Sequence, residues 1–98
     1  MRIGKIVNVE IHERAKKPLY KMSVDMGKEL GIRTIIAGIA EQYKKEELMG
    51  MLVVCLVNLE PKIIAGIESQ GMLLAAESND RIAVLTPSES IEPGSRVR

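Results

Sequence analysis

Aromatic residues are almost absent from the sequence. It has no Phe and no Trp, and only two Tyr, Tyr20 and Tyr43. Proteins that bind single-stranded nucleic acid usually stack successive bases on several aromatic side chains. The composition therefore argues against that mode of binding.

Cysteine and histidine are equally scarce, with one residue of each, Cys55 and His12. The chain can form no internal disulfide, and a zinc site built from this chain alone would lack ligands. Any Cys/His pair or Ser-His-Asp triad would depend on His12, which has no obvious acid or nucleophile beside it. We therefore interpret His12 as a surface residue at a strand end. We expect no enzymatic activity and no metal.

Other classes of site are also missing. The glycines at Gly27 and Gly31, and at Gly66 and Gly71, lack the spacing of loops that cradle phosphates, so no cofactor is indicated.

No apolar run approaches the roughly 18–20 residues that a membrane span requires, and the N-terminus lacks the unbroken apolar stretch of a signal peptide. Cys55 lies in the apolar run MLVVCLV, which fits a small buried side chain in a reducing compartment. We expect a soluble, cytoplasmic protein with no membrane association.

The chain has enough apolar residues to fold. It has 98 residues, of which 46% are hydrophobic, including 12 Ile, 9 Leu and 8 Val. This length suits one domain, which we place at 1–98.

Positive charge is concentrated in the first third of the chain. Residues 1–35 hold eight Lys or Arg and four Asp or Glu, whereas residues 36–98 hold six and nine. The segment 14–21, RAKKPLYK, has four cations and no anion. Such a patch can meet phosphates, although runs of this kind are more often solvated loops.

The order of elements favours a small barrel. Alternating apolar residues predict strands at 3–12 and 19–25, and a shorter strand follows at 34–38. Residues 41–48 predict the one helix, and 48–57 a strand buried on both faces. After a bent loop marked by Pro61, Gly66 and Gly71, strands are predicted at 72–76 and 82–85, then a surface extension with a last pairing at 96–98. We infer an all-β fold: a five-stranded OB-fold Greek-key barrel with one short helix between strands 3 and 4 and a C-terminal extension. Another small five-stranded barrel is the alternative.

Six segments, in order along nearly the whole chain, carry a family resemblance. They are Ile3-Gly4-Lys5-Ile6-Val7-x-Val9, Tyr20-x-x-x-Val24-Asp25-x-Gly27, Ala37-Gly38-Ile39, Tyr43-Lys44-x-Glu46-Glu47-Leu48, Asn58-Leu59-x-Pro61 and Gly66-x-x-Ser69-x-Gly71-Met72. This pattern resembles the tRNA-binding domain of methionyl-tRNA synthetases, which also occurs as a free-standing dimer and in the EMAP-II cytokine. The resemblance implies an OB barrel, tRNA binding and a homodimer.

The sequence departs from the family pattern at specific positions. Ile63 and Ala65 occupy places where that family usually has Lys and Arg, and Glu60 stands where a Lys often precedes the proline. Two or three phosphate contacts are therefore missing. Segments 14–21 and 25–32 are more similar to the CsaA branch of the superfamily, described as a dimeric, export-related chaperone that binds peptides. The CsaA branch, however, lacks the Ser-x-Gly-Met element present at 69–72.

Two binding functions follow from these resemblances. The first is a non-catalytic tRNA-binding protein, acting alone as a dimer or as a partner of methionyl-tRNA synthetase. Its predicted tRNA-binding residues are Arg14, Lys16, Lys17, Lys21, Arg33, Asn58, Lys62, Ser69 and Met72. The alternative is a CsaA-like chaperone that binds unfolded or exported peptides in an apolar groove formed where Ile63 and Ala65 replace cations. Neither function requires a cofactor.

Overall fold

The structure, a computed structural model, describes residues 1–12 and 18–98. Its elements are β1 (Arg2–His12), β2 (Leu19–Asp25), α1 (Gly27–Leu30), β3 (Ile32–Ala37), α2 (Lys45–Leu48), β4 (Leu52–Leu56), β5 (Lys62–Ile64), β6 (Ile67–Ser69), β7 (Met72–Leu73), β8 (Ala75–Ser78) and β9 (Arg81–Val84). Both helices are one turn long, and no helix in these two ranges could cross a membrane.

A curled, antiparallel five-stranded sheet organises the fold, with the strand order β3-β2-β1-β4-β7. β1 pairs with β2 along nearly its whole length and with β4 through Arg2 to Lys5. The register of β1 shifts between Ile6 and Asn8, and such a bulge bends a strand and increases its twist. The sheet therefore curls towards a barrel, and the predicted OB-like, all-β fold is confirmed.

The core follows the two-residue period that predicted the strands. Met22 and Val24 of β2 and Val53 and Cys55 of β4 are fully buried, while the residues between them are partly exposed. Successive side chains of a strand point to opposite faces, so these residues line the inside of the curled sheet. Burial raises the pKa of the Cys55 thiol to about 11, so the thiolate that a nucleophile requires does not form near neutral pH.

The C-terminal segment packs against the start of β1 and against α1. The Ile3 amide donates to the Ser95 carbonyl at 2.8 Å, and the Gly94 amide donates to the Ile3 carbonyl at 2.7 Å. Gly27 and Gly94 meet backbone to backbone: a Cβ on Gly94 would lie 2.8 Å from the Met26 carbonyl oxygen. Both have positive φ, +88° and +92°, so both positions require glycine. The pairing predicted at 96–98 is a single bridge, Arg2 to Arg96.

Five details of the predicted fold are wrong. Helix α2 spans 45–48 rather than 41–48, and α1 is a second helix that was not predicted. The segment predicted as a bent loop contains a hairpin, β5–β6. The strand predicted at 72–76 is interrupted at Leu74.

The fifth error concerns the strand predicted at 48–57, which spans Leu52–Leu56. In the single chain β4 is buried on one face only, because Leu52, Val54 and Leu56 remain partly exposed.

Candidate functional site

The hairpin β5–β6 is joined to the barrel through one backbone hydrogen bond and through side chains. It forms its own two-stranded sheet, separate from the large sheet. At its base, the Gln70 amide donates to the Thr34 carbonyl at 2.8 Å, and the Gln70 side-chain oxygen accepts from the Thr34 amide at 2.9 Å. We call this contact between β6 and the edge of β3 the seam; it comprises Thr34, Ile36, Ser69 and Gln70. The seam places the hairpin over β3.

Ser69 completes the seam. Its side-chain oxygen accepts from the Ile36 amide at 3.0 Å and donates to the Gly71 carbonyl at 3.1 Å. The residue is only 4% exposed. The predicted tRNA-contacting hydroxyl therefore already has two backbone partners, and Ser69 occupies the place that a backbone group would take in a continuous sheet.

Beside the seam lies a cavity of about 390 Å³, which we call the groove. Its apolar lining comes from Ile36, Leu59, Pro61, Ile64 and Met72, and the exposed charged residues Glu60 and Lys62 also border it. A volume of this size is at the small end for ligand sites, which are typically concave and mostly apolar with a few polar groups. Met72 also borders a neighbouring cavity of about 300 Å³ between β3 and β7–β9.

The structure brings three of the predicted site residues together at the groove: Lys62, Ser69 and Met72. Lys21 lies next to them, because it pairs across the sheet with Ile36 of the groove. Its other cross-strand neighbour is Glu10, which reduces the local positive charge. Asn58 is exposed and directly precedes Leu59 of the groove.

Arg33, another of the predicted tRNA-binding residues, is held by backbone carbonyls. Its guanidinium donates to the carbonyl of Val57 at 3.1 Å and to that of Gln70 at 3.2 Å. The side chain thus ties β3 to the end of β4 and to the seam, and only its remaining N–H groups are left for a phosphate. Arg14, Lys16 and Lys17 lie outside the described residues.

The two tyrosines support packing. The Tyr20 hydroxyl donates to the Tyr43 carbonyl at 2.7 Å, and the Tyr43 hydroxyl accepts from the Val84 amide at 3.0 Å. Tyr20 is buried. Their hydroxyls hold the α2 region against β2 and β9.

Sequence reasoning missed two residues of this region. Gln70 stands inside the Gly66-x-x-Ser69-x-Gly71-Met72 pattern, at a position to which the pattern assigns no residue. His12, interpreted as a surface residue without a role, contacts the Ala65 carbonyl through Nε2 at 2.6 Å. These residues are 53 positions apart, so no local signal predicts the contact. No group of three or more His, Cys, Asp or Glu within 1–12 and 18–98 is arranged to hold a metal ion.

Comparisons with known proteins agree with the resemblance. Residues 1–96 match the family described as "Putative tRNA binding domain". The methionine–tRNA ligase of Pyrococcus furiosus is 50% identical over 98 residues, which is 100% of this chain and 13% of the ligase. The chain thus spans about an eighth of the ligase's length.

Similar solved structures include two that cover 99% of this chain. The methionyl-tRNA-synthetase-related protein from Pyrococcus horikoshii is 41% identical with a TM-score of 0.88 over 87% of that chain. The CsaA chaperone protein from Picrophilus torridus is 35% identical with a TM-score of 0.92 over 89% of that chain. The matched domain is a binding module and not a catalytic one. Taken with the fold and the groove, these matches show that the chain belongs to the tRNA-binding domain family and is related to methionyl-tRNA synthetase.

Proposed function

We propose that this domain binds tRNA at the groove end of the barrel, as a stand-alone homodimer or as a non-catalytic partner of a methionyl-tRNA synthetase. The observation that carries the proposal is the placement of Lys62 and Met72 at one groove, with Lys21 paired to Ile36 of its lining, in a chain of the tRNA-binding family. Lysines contact phosphates, and the exposed thioether of Met72 packs against a base or ribose. A cytoplasmic location follows from the same proposal.

The geometry suggests which predicted residues touch RNA. Lys62 and Met72 are exposed at the groove, whereas Ser69 is buried. We therefore assign direct contact to Lys21, Asn58, Lys62 and Met72, and to Arg14, Lys16 and Lys17 on the sequence alone. Ser69 and Arg33 shape the groove through their bonds to backbone carbonyls and amides.

Peptide binding is the second candidate. The groove is lined mainly by apolar side chains, and on the adjacent hairpin Ile63 is 70% exposed. The similarity to the CsaA chaperone protein also favours peptide binding. A surface of this kind could hold apolar side chains of an extended peptide.

Direct binding assays separate the two functions. We expect unfractionated tRNA to shift the protein in a native gel, and a panel of fluorescent peptides to show no change in anisotropy at the same protein concentration. Preference for the peptides, with no shift by tRNA, would replace the tRNA proposal with the peptide one.

The dimer proposal rests on the outer face of β4. Leu52, Val54 and Leu56 are partly exposed there, and the exposed Leu85 is bonded next to them, since its carbonyl accepts from the Val54 amide at 3.3 Å. A two-fold interface is self-complementary, and a stable one buries about 800 Å² on each partner. An apolar strand face at the surface suits this arrangement.

We expect light scattering at micromolar concentration to give twice the chain mass of 10.8 kDa. Leu85→Asp should shift the protein towards the monomer, because it places a charge in the apolar contact. Leu59→Asp, at an exposed leucine of the groove, is the matched control and should leave the mass unchanged. A wild-type mass of one chain would contradict the proposal.

A further inference from the structure

The hairpin β5–β6 is short and depends on a few bonds for its position. Each strand has three residues, and its ladder pairs only the two strands with each other. The base is fixed by the seam. The opposite end, about 10 Å away for three residues of strand, is the turn at Ala65 and Gly66. Ile64, the residue directly before this turn, lines the groove, so the tip of the hairpin lies beside the groove.

The turn has positive φ at both of its residues. Ala65 has φ of +49° and Gly66 has φ of +84°, as in the two-residue turns that favour Asn-Gly. Ala65 is one of few non-glycine residues with positive φ among those described, and such a conformation persists where the surroundings hold it.

The holding contact comes from His12. A carbonyl oxygen can only accept, so the 2.6 Å contact means that the His12 Nε2 carries the proton and donates to Ala65. His12 is the last residue of β1 and pairs with Leu19 of β2, so the backbone that carries the imidazole is fixed by the main sheet. The bond therefore ties the hairpin tip to the β1–β2 end of the barrel.

We propose that His12 is a positioning residue for tRNA binding. By holding the Ala65 carbonyl it fixes the hairpin tip, sets the width of the groove, and keeps Lys62 and Ile64 facing it. This inference rests on the proposed function for its ligand, but the anchoring of the hairpin is a property of the free protein and can be measured without RNA.

The test combines amide hydrogen exchange with tRNA binding. His12→Ala should speed the exchange of amides in residues 62–69 of the free protein by about three- to tenfold, the effect of losing one typical hydrogen bond. Its tRNA affinity should fall by a similar factor. His12→Gln retains a side-chain N–H donor without an imidazole. It should restore the wild-type exchange rate of the hairpin and the wild-type tRNA affinity. Ile11→Ala, at the exposed neighbouring residue, is the control and should change neither.

The outcomes are distinguishable. Unchanged hairpin exchange in His12→Ala would overturn the anchoring, whatever happens with tRNA. Faster exchange with unchanged tRNA affinity would overturn the role in binding. Equal loss of affinity in the Ala and Gln variants would show that the imidazole acts by its charge or shape instead of by the bond. Wild-type protein that fails to bind tRNA would overturn the proposed function, while the exchange result alone would still decide the anchoring.

Discussion

Raising the salt concentration from 50 to 200 mM is expected to weaken tRNA binding by roughly two to three orders of magnitude. Four to six Lys or Arg contacts to phosphates should give a slope of log K against log salt of about −0.7 to −0.9 per contact, because each contact releases a condensed counterion. The measurement is a salt titration of the dissociation constant by fluorescence anisotropy.

The basic segment 14–21 should account for part of that slope. Replacing Lys16 and Lys17 by Ala should reduce its magnitude by about one to two units. The matched control replaces Lys5 and Lys28, two exposed lysines near the α1 end of the sheet, and should leave the slope unchanged. Binding that is insensitive to salt would contradict phosphate contact and would favour the peptide candidate.

Ser69→Ala is expected to lower the free energy of unfolding by about 1–3 kcal/mol, since it leaves the buried Ile36 amide without its acceptor. For a domain of this size the thermal midpoint should fall by roughly 5–20 °C. The backbone after Ser69 has little room to move towards the Ile36 amide, because Gly71 is closely packed. A Cβ on Gly71 would lie 2.9 Å from the Leu56 carbonyl oxygen. Thermal unfolding followed by circular dichroism measures the loss, and Ser88→Ala, at an exposed serine, is the control.

Met72→Ala should weaken tRNA binding and leave stability nearly unchanged, the reverse of Ser69→Ala. Met72 is 47% exposed at the groove, so its truncation should leave the midpoint nearly unchanged and weaken tRNA binding by about 1–3 kcal/mol, the usual range for losing a specific contact. Met49 is also 47% exposed but follows α2, which makes Met49→Ala a matched control for both readouts. If Ser69→Ala leaves stability intact, or Met72→Ala leaves affinity intact, the corresponding role is wrong.

The alternation of apolar and polar residues predicted the central strands, because each of these strands buries only one of its two faces. In β2, Tyr20, Met22 and Val24 are buried and alternate with partly exposed residues, and this is the period that the sequence displays. The hairpin was not predicted because its sequence lacks this alternation. Ile63 and Ile64 are adjacent apolar residues without alternation, and Pro61, Gly66 and Gly71 suggest a loop.

The site was partly predictable for a similar reason. The motif from Gly66 to Met72 led to Ser69 and Met72, but it could not show which of them faces solvent. That difference depends on the Ile36 amide, which belongs to a strand 33 positions earlier. The contact of His12 with Ala65 is likewise a product of the curled sheet, which joins segments distant in sequence.

The packing of the C-terminal segment on β1 determines how this domain can be tethered. The Val97 amide donates to the Met1 carbonyl at 3.1 Å, so residues 1 and 97 lie side by side. β1 then runs for 11 residues, about 30 Å, to His12 beside the hairpin tip. A linker attached at residue 1 or 98 would therefore start a full length of β1 away from the His12–Ala65 contact, and a second domain joined there would leave the hairpin tip free. The geometry thus suits a module that can be attached through either end of this segment, or through both, without disturbing the hairpin tip.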